Sequence, residues 1–113
     1  GQCGSESLGP IPYSGTGGQS DFVRAANRSK GGKAFIVLPS TAKDDTISRI
    51  VPTLSPGTHV STSKNDINYV VTEYGVAQLR GKTAKQRTEA LIGIAHPDFR
   101  GELREAARKL KLL

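Results

Sequence analysis

An α/β fold, a mixed sheet with flanking helices, is predicted by three observations. Ala34-Phe35-Ile36-Val37-Leu38 is an unbroken apolar run between Gly32 and Pro39, the pattern of a strand buried on both faces. Thr83 and Gln86 form a T-x-x-Q capping box ahead of a stretch with Leu91, Ile94 and Ala95 on one face. Phe99, Leu103, Ala106, Ala107 and Leu110 make a second helical stripe after Asp98. Apolar runs of strand length and helical stripes share one short chain, so helices must pack on a sheet.

In chain order, residues 1–18 are rich in Gly, Ser and Pro and read as loop with a short extended piece. Asp21–Ser29 is a short helix capped by Ser20 or Asp21 and ended by Gly31-Gly32. The 34–38 strand follows. Thr46–Leu54 is a second strand, placed at an edge or bulge by Pro52, which has no N–H to give a ladder. Ser55-Pro56-Gly57 turns the chain, and Thr58–Ser63 returns as the other hairpin arm. Asn68–Thr72 is a fourth strand, and Tyr74–Leu79 a short helix or turn. Helix Thr83–Ala95 stops at His96-Pro97, because the residue before Pro avoids the α region. Asp98 then caps the last helix.

The 113 residues suffice for one small domain. Only 35% are hydrophobic, with no Trp or Met. So lean a core implies apolar surface covered by something outside this chain. The opening Gly1-Gln2-Cys3 carries no initiator Met or targeting signal, so the chain reads as part of a longer or processed protein. No apolar run approaches the roughly 20 residues of a membrane span. Cys3 is the sole cysteine and has no internal partner, which favours a reducing compartment, the cytoplasm. It reads as an ordinary thiol.

The net charge of +6 suits an anionic partner. Arg100, Arg104, Arg108, Lys109 and Lys111 are interleaved with Glu102 and Glu105, the solvated face of a helix. A basic nucleic-acid-binding module is the rival reading. It lacks a readout motif and the aromatic residues that stack on bases.

Ser14–Phe22 (SGTGGQSDF) is the stretch where chemistry is expected. Gly15, Gly17 and Gly18 free the backbone of side chains, so main-chain N–H groups can meet a phosphate or a developing oxyanion. A helix start behind the loop adds partial positive charge. The bland alternative, a simple turn, competes evenly on spacing alone. Two nucleotide motifs fail. Gly81-Lys82-Thr83 lacks a glycine at position 76, where Val stands, and Gly15-x-Gly17-x-x-Ser20 has no strong strand before it. Glu73 reads as a strand-end acid paired with Arg80 or Lys82. His59 and His96 have no partner at ligand spacing, so no metal site is expected, and His96 reads as a structural hydrogen-bonding group.

Ser14–Phe22, Leu38–Lys43 (LPSTAK), Ser48–Pro52 (SRIVP), Tyr69–Lys82 (YVVTEYGVAQLRGK) and Ile94–Arg100 (IAHPDFR) together resemble the C-terminal part of the acetyl-CoA hydrolase/transferase family, the class I CoA-transferases. The similarity runs over nearly the whole chain in order. Gly1–Pro12 is similar to the 4-hydroxybutyrate CoA-transferase branch. The resemblance implies a CoA-transferase-type open α/β domain, with 1–113 the C-terminal segment of the second domain and 1–13 a lead-in. It implies covalent catalysis through a glutamate, with coenzyme A as substrate and covalent intermediate and no permanently bound cofactor. That glutamate belongs to a segment upstream of Gly1. Glu6, Glu73, Glu89, Glu102 and Glu105 do not match its motif.

By the same resemblance, the Gly18 N–H is an oxyanion donor and CoA contact, Ser14 is a CoA contact at the loop start, and Lys43 is a CoA-binding lysine. Glu73 and Lys82 serve the fold or a subunit contact. The implied partners are an acyl-CoA, a small carboxylate, the N-terminal remainder of the enzyme and further copies in a homo-oligomer, with neither nucleic acid nor membrane. A hydrolase using water as acceptor is the alternative within the family, and a purely structural interaction domain the alternative outside it.

Overall fold

The computed structural model describes residues 1–113. The lead-in holds the first hairpin. β1 (Ser7–Leu8) and β2 (Ile11–Pro12) pair antiparallel, and Gly9 turns between them at φ +54°. Cys3 forms an isolated antiparallel bridge to Thr62, which ties the lead-in to the middle of the chain.

α1 (Gln19–Arg28) starts two residues before the predicted helix, with Gly18 rather than Ser20 or Asp21 at its N-cap. The side chains of Gln19 and Ser20 are occupied by tertiary hydrogen bonds described below. The helix ends as predicted. Gly31 takes φ +69°, and a Cβ on Gly32 would lie 2.2 Å from the Ala26 carbonyl oxygen, so no larger residue fits there.

The sheet is mixed, as predicted. β3 (Phe35–Val37) runs parallel to β6 (Tyr69–Thr72), which pairs antiparallel with β7 (Gly75–Gln78). The register aligns Val37, Val71 and Val76 across the three strands. β3 is not buried on both faces. It is an edge strand, and Phe35 and Val37 are 51% and 73% exposed. Side chains alternate along a strand, so Ile36 turns to the core while its neighbours face outward. An unbroken apolar run reports surface suited to burial on two sides, and this chain covers only one.

Two further expectations are corrected. The 46–54/58–63 hairpin does not form. Instead β4 (Thr41–Ala42) pairs antiparallel with β5 (Ile47–Ser48) around a turn at residues 43–46. Arg49 donates its N–H to the Ser40 carbonyl and closes the root of this hairpin, after which the chain leaves the strand before Pro52. The Ser55-Pro56-Gly57 turn does form, with Thr58 donating to the Ser55 carbonyl and Gly57 at φ +79°. The 74–79 stretch is strand β7 rather than helix. Gly75, at φ +137°, lets Thr72–Gly75 reverse tightly onto β6, and Val76 exposed beside buried Ala77 shows the alternation of a strand.

α2 (Ala84–Ile94) begins with the predicted capping box. The Gln86 N–H donates to Thr83 Oγ1 and the Thr83 N–H to Gln86 Oε1. α3 (Pro97–Lys109) is capped by His96, not Asp98. The His96 Nδ1 accepts from the Asp98 N–H, and Pro97 opens the helix where no N–H is needed. Leu103 and Ala107 are buried as the stripe predicts, whereas Leu110 is 47% exposed beyond the helix end.

Only 16 of 113 residues are buried, which matches the lean composition. The core has two clusters bridged by α2. Ile94 packs with Ile67, Val70, Ala77 and Leu79 under the sheet, while Ile92 packs with Ala95, Leu103 and Ala107 against α3. No helix is long and apolar enough to cross a membrane.

Candidate functional site: the glycine loop and the lysine hairpin

The glycine loop stands in solvent. Residues 14–18 are all exposed, and a Cβ on Gly15 or Gly17 would meet nothing within 4 Å. Gly17 takes φ +58°, a conformation that L side chains rarely adopt. The loop is held at its ends. Upstream, the N–H groups of Tyr13 and Ser14 both donate to the Glu6 carbonyl, at 2.8 and 3.3 Å, and Ser14 Oγ donates to the Gly15 carbonyl. Downstream, the Gly18 carbonyl accepts from the Phe22 N–H at 2.9 Å and begins α1. No side chain caps this helix. Its first N–H groups therefore lie beside the loop with the positive end of the helix dipole behind them.

The first turn of α1 is fastened from below. Gln19 Nε2 donates to Thr62 Oγ1 at 2.9 Å, and Ser20 Oγ bonds the Ser61 carbonyl and Thr62 Oγ1. Ser61 and Thr62 are buried, and Cys3 exchanges backbone hydrogen bonds with them. Cys3 Sγ also accepts weakly from Gln19 Nε2. The thiol therefore belongs to the packing under the loop, in keeping with its ordinary reading.

Lys43 stands on the β4–β5 turn. Lys43, Asp44 and Asp45 take φ of 49°, 53° and 62°, three successive non-glycine residues in the left-handed region. Such a run costs about 1–2 kcal/mol per residue and persists only where its surroundings enforce it. Here Thr46 donates its N–H and Oγ1 to the Lys43 carbonyl, Thr41 Oγ1 donates to Asp45 Oδ1, and Arg49 Nε donates to the Thr41 carbonyl. The Lys43 side chain is exposed and in no salt bridge. A strained turn thus presents an unpaired cation.

Glu73 pairs with neither Arg80 nor Lys82. Its carboxylate accepts from the Ser40 N–H at 2.9 Å and from Ser40 Oγ at 2.5 Å, at the root of the lysine hairpin. These bonds favour the ionised form. The Ser40 hydroxyl first, then the N–H groups of Glu73 and Ser40, hold the carboxyl below its ordinary range. No sequence signal joins Glu73 to Ser40, since the two are 33 positions apart and neither lies in a chemical motif. His96 is structural, as expected. Besides capping α3, it meets the rings of Tyr74 and Phe99 edge-on.

No hydrogen bond or ion pair joins Ser14 or Gly18 to Lys43. A cleft of about 650 Å³ lies elsewhere, lined by Cys3, Ile36, Leu38, Ile67, Val70 and Arg87 among others, and none of the three residues reaches it. No three His, Cys, Asp or Glu side chains stand where they could hold a metal ion.

The family model of the acetyl-CoA hydrolase/transferase C-terminal domain matches residues 1–107. The chain belongs to this family. Within it, the chain is 69% identical over 110 residues to succinyl-CoA:cyclohexane-1-carboxylate CoA transferase of Geobacter metallireducens, covering 97% of this chain and 25% of that protein. It is 57% identical over 109 residues to 4-hydroxybutyrate coenzyme A transferase of Clostridium kluyveri, covering 96% of this chain and again 25% of the relative. The crystal structure of RipA from Yersinia pestis superimposes with a TM-score of 0.88 at 44% identity, over 100% of this chain and 25% of that one. The acetyl-CoA hydrolase/transferase C-terminal domain described here thus spans about a quarter of the length of these relatives.

Proposed function

We propose that this chain is the C-terminal segment of the second domain of a CoA-transferase. The whole enzyme moves CoA from an acyl-CoA to a small carboxylate such as 4-hydroxybutyrate, butyrate or acetate. The observation that carries the reading is the exposed Gly15–Gly18 loop ahead of a helix with no side-chain cap, in a chain of this family.

The reaction needs an oxyanion site at each acyl transfer. A glutamate outside this chain attacks the thioester carbonyl through a carboxylate oxygen. The C–S bond breaks, CoA thiolate leaves, and a mixed anhydride remains. The thiolate then attacks the glutamyl carbonyl, the substrate carboxylate departs, and a glutamyl-CoA thioester forms. An incoming carboxylate reverses the sequence. Each attack places negative charge on a carbonyl oxygen. The Gly18 N–H is a fixed donor for that oxygen, and the absence of a side chain at position 18 lets the oxygen approach. Ser14 contacts CoA at the loop entrance. Lys43 serves as a point charge for CoA phosphate. CoA is substrate and covalent intermediate rather than a resident cofactor. The enzyme works in the cytoplasm as a homo-oligomer.

The test uses the polypeptide that carries the upstream remainder, assayed first with succinyl-CoA and cyclohexane-1-carboxylate. Gly18→Pro deletes the N–H and is expected to lower kcat by about 100-fold or more, the usual cost of losing one oxyanion donor. Lys43→Ala is expected to raise KM for acyl-CoA with kcat nearly unchanged. Unchanged kcat in a folded Gly18→Pro protein would remove Gly18 from the mechanism.

A further inference from the structure

The position of the Gly18 N–H has to be set by something, and the loop cannot set it alone. Residues 14–18 are exposed, and the glycines at 15 and 17 have no neighbours for a side chain to meet. What fixes Gly18 on its downstream side is the first turn of α1. That turn is tied to the Ser61 carbonyl, to Cys3 Sγ and to Thr62 Oγ1, and of these anchors Thr62 alone is a buried side chain. Thr62 is 1% exposed and lies 44 positions along the chain from Gly18.

The hydrogen-bond directions around Thr62 follow from proton count. Ser20 Oγ lies on the Ser61 carbonyl, which can only accept, so the single Ser20 proton goes there. The 3.0 Å contact between Ser20 Oγ and Thr62 Oγ1 must then use the Thr62 proton. Thr62 Oγ1 keeps its lone pairs for the amide of Gln19 at 2.9 Å. One hydroxyl therefore donates to residue 20 and accepts from residue 19, the two residues that follow Gly18. The Thr62 backbone is itself pinned, since Cys3 donates to its carbonyl and accepts from its N–H, both at 3.1 Å.

We propose that Thr62 is the positioning residue of the oxyanion site, holding the Gly18 N–H in register through its hydroxyl bonds to Gln19 and Ser20. This rests on the reading of Gly18 as an oxyanion donor. Thr62 touches no substrate and acts only through α1. Valine at this position keeps the shape and removes the hydroxyl. The Gln19 amide then keeps only its weak contact to Cys3 Sγ, and Ser20 Oγ keeps the Ser61 carbonyl but loses its donor, so the helix start is held less tightly. A misplacement of order 1 Å at a reacting centre costs up to roughly 100-fold in rate.

The experiment measures steady-state kinetics in the polypeptide that carries the upstream remainder, for Thr62→Val, Thr62→Ser, Gln19→Ala and Gly18→Pro. Thr62→Val is expected to lower kcat by about tenfold to 100-fold while KM for acyl-CoA stays within about twofold. Thr62→Ser keeps the hydroxyl and is expected to restore kcat to within about threefold of the parent. Gln19→Ala breaks the same bond from its half-buried side, leaving the buried Thr62 in place, and is expected to lower kcat in the same direction. Kinetics are read below the melting temperature of every variant, so a loss of stability alone leaves kcat unchanged. If Gly18→Pro abolishes turnover while folded Thr62→Val and Gln19→Ala keep the parental kcat, the positioning role is wrong and the Gly18 reading stands. If folded Gly18→Pro keeps its kcat, the Gly18 reading fails and the Thr62 proposal falls with it.

Discussion

Replacing Lys43 with glycine should move stability and CoA binding in opposite directions. Lys43 sits at φ 49° in a run of three left-handed residues. For an L-residue that conformation costs about 1–2 kcal/mol, which glycine does not incur. Glycine gives back about 0.5–1 kcal/mol through the greater freedom of the unfolded chain. The backbone bonds of the turn survive, because Thr46 donates to the Lys43 carbonyl rather than to its side chain. The net gain is about 0.5–1 kcal/mol, a rise of roughly 2–5 °C in Tm for a chain of this size. Binding should go the other way. One exposed lysine–phosphate contact contributes about 1 kcal/mol, so Kd for CoA should rise about fivefold. Thermal unfolding by circular dichroism and CoA titration by calorimetry read the two effects separately. A fall in Tm would refute the strain argument, and an unchanged Kd would refute the lysine's role.

Other consequences follow from particular contacts. Leu79→Ala deletes a side chain with 0% exposure from the cluster under the sheet and should cost about 2–5 kcal/mol, measured by urea unfolding. Thr83→Ala removes half of the α2 capping box and should cost about 1 kcal/mol in the same assay. Val37→Lys, on the uncovered face of β3, should change the stability of the 113-residue chain by less than about 0.5 kcal/mol, so a large loss would mean that face is covered. Glu73 has its pKa lowered from an ordinary 4.5 by Ser40. Its contribution is therefore fully present above pH 4.5 and lost as pH falls through the lower folded value. Glu73→Gln should flatten that acid limb of the stability curve, and an unaltered limb would mean the Ser40 bonds do not favour the charged form.

The helices were largely legible because their signals are local. The Thr83/Gln86 box and the 99–110 stripe lie within a few residues of the structure they specify. The strands were less so. The 74–79 stretch carries no strand signal of its own, because the character of β7 depends on Gly75 reversing the chain onto β6, a tertiary event. The 46–54 pattern outruns the real strand because the chain leaves it at Arg49, whose N–H closes on Ser40, and no short-range pattern announces that bond. The apolar 34–38 run identified a strand but not its exposure, since burial depends on what lies over each face. At the site, the glycines signalled an open loop, and the wider resemblance supplied roles for Ser14, Gly18 and Lys43. The supports beneath them, Thr62 under α1 and Glu73 under the hairpin, join residues more than 30 positions apart. Neither residue type stands out in sequence.

The central claim is that this segment supplies the oxyanion donor while the nucleophile lies upstream of it. Mass spectrometry of the longer polypeptide after incubation with acyl-CoA tests both halves at once. A CoA adduct should appear on a glutamate outside residues 1–113, and it should fail to accumulate in Gly18→Pro. An adduct on Glu73, Cys3 or any other residue of this chain would contradict the account.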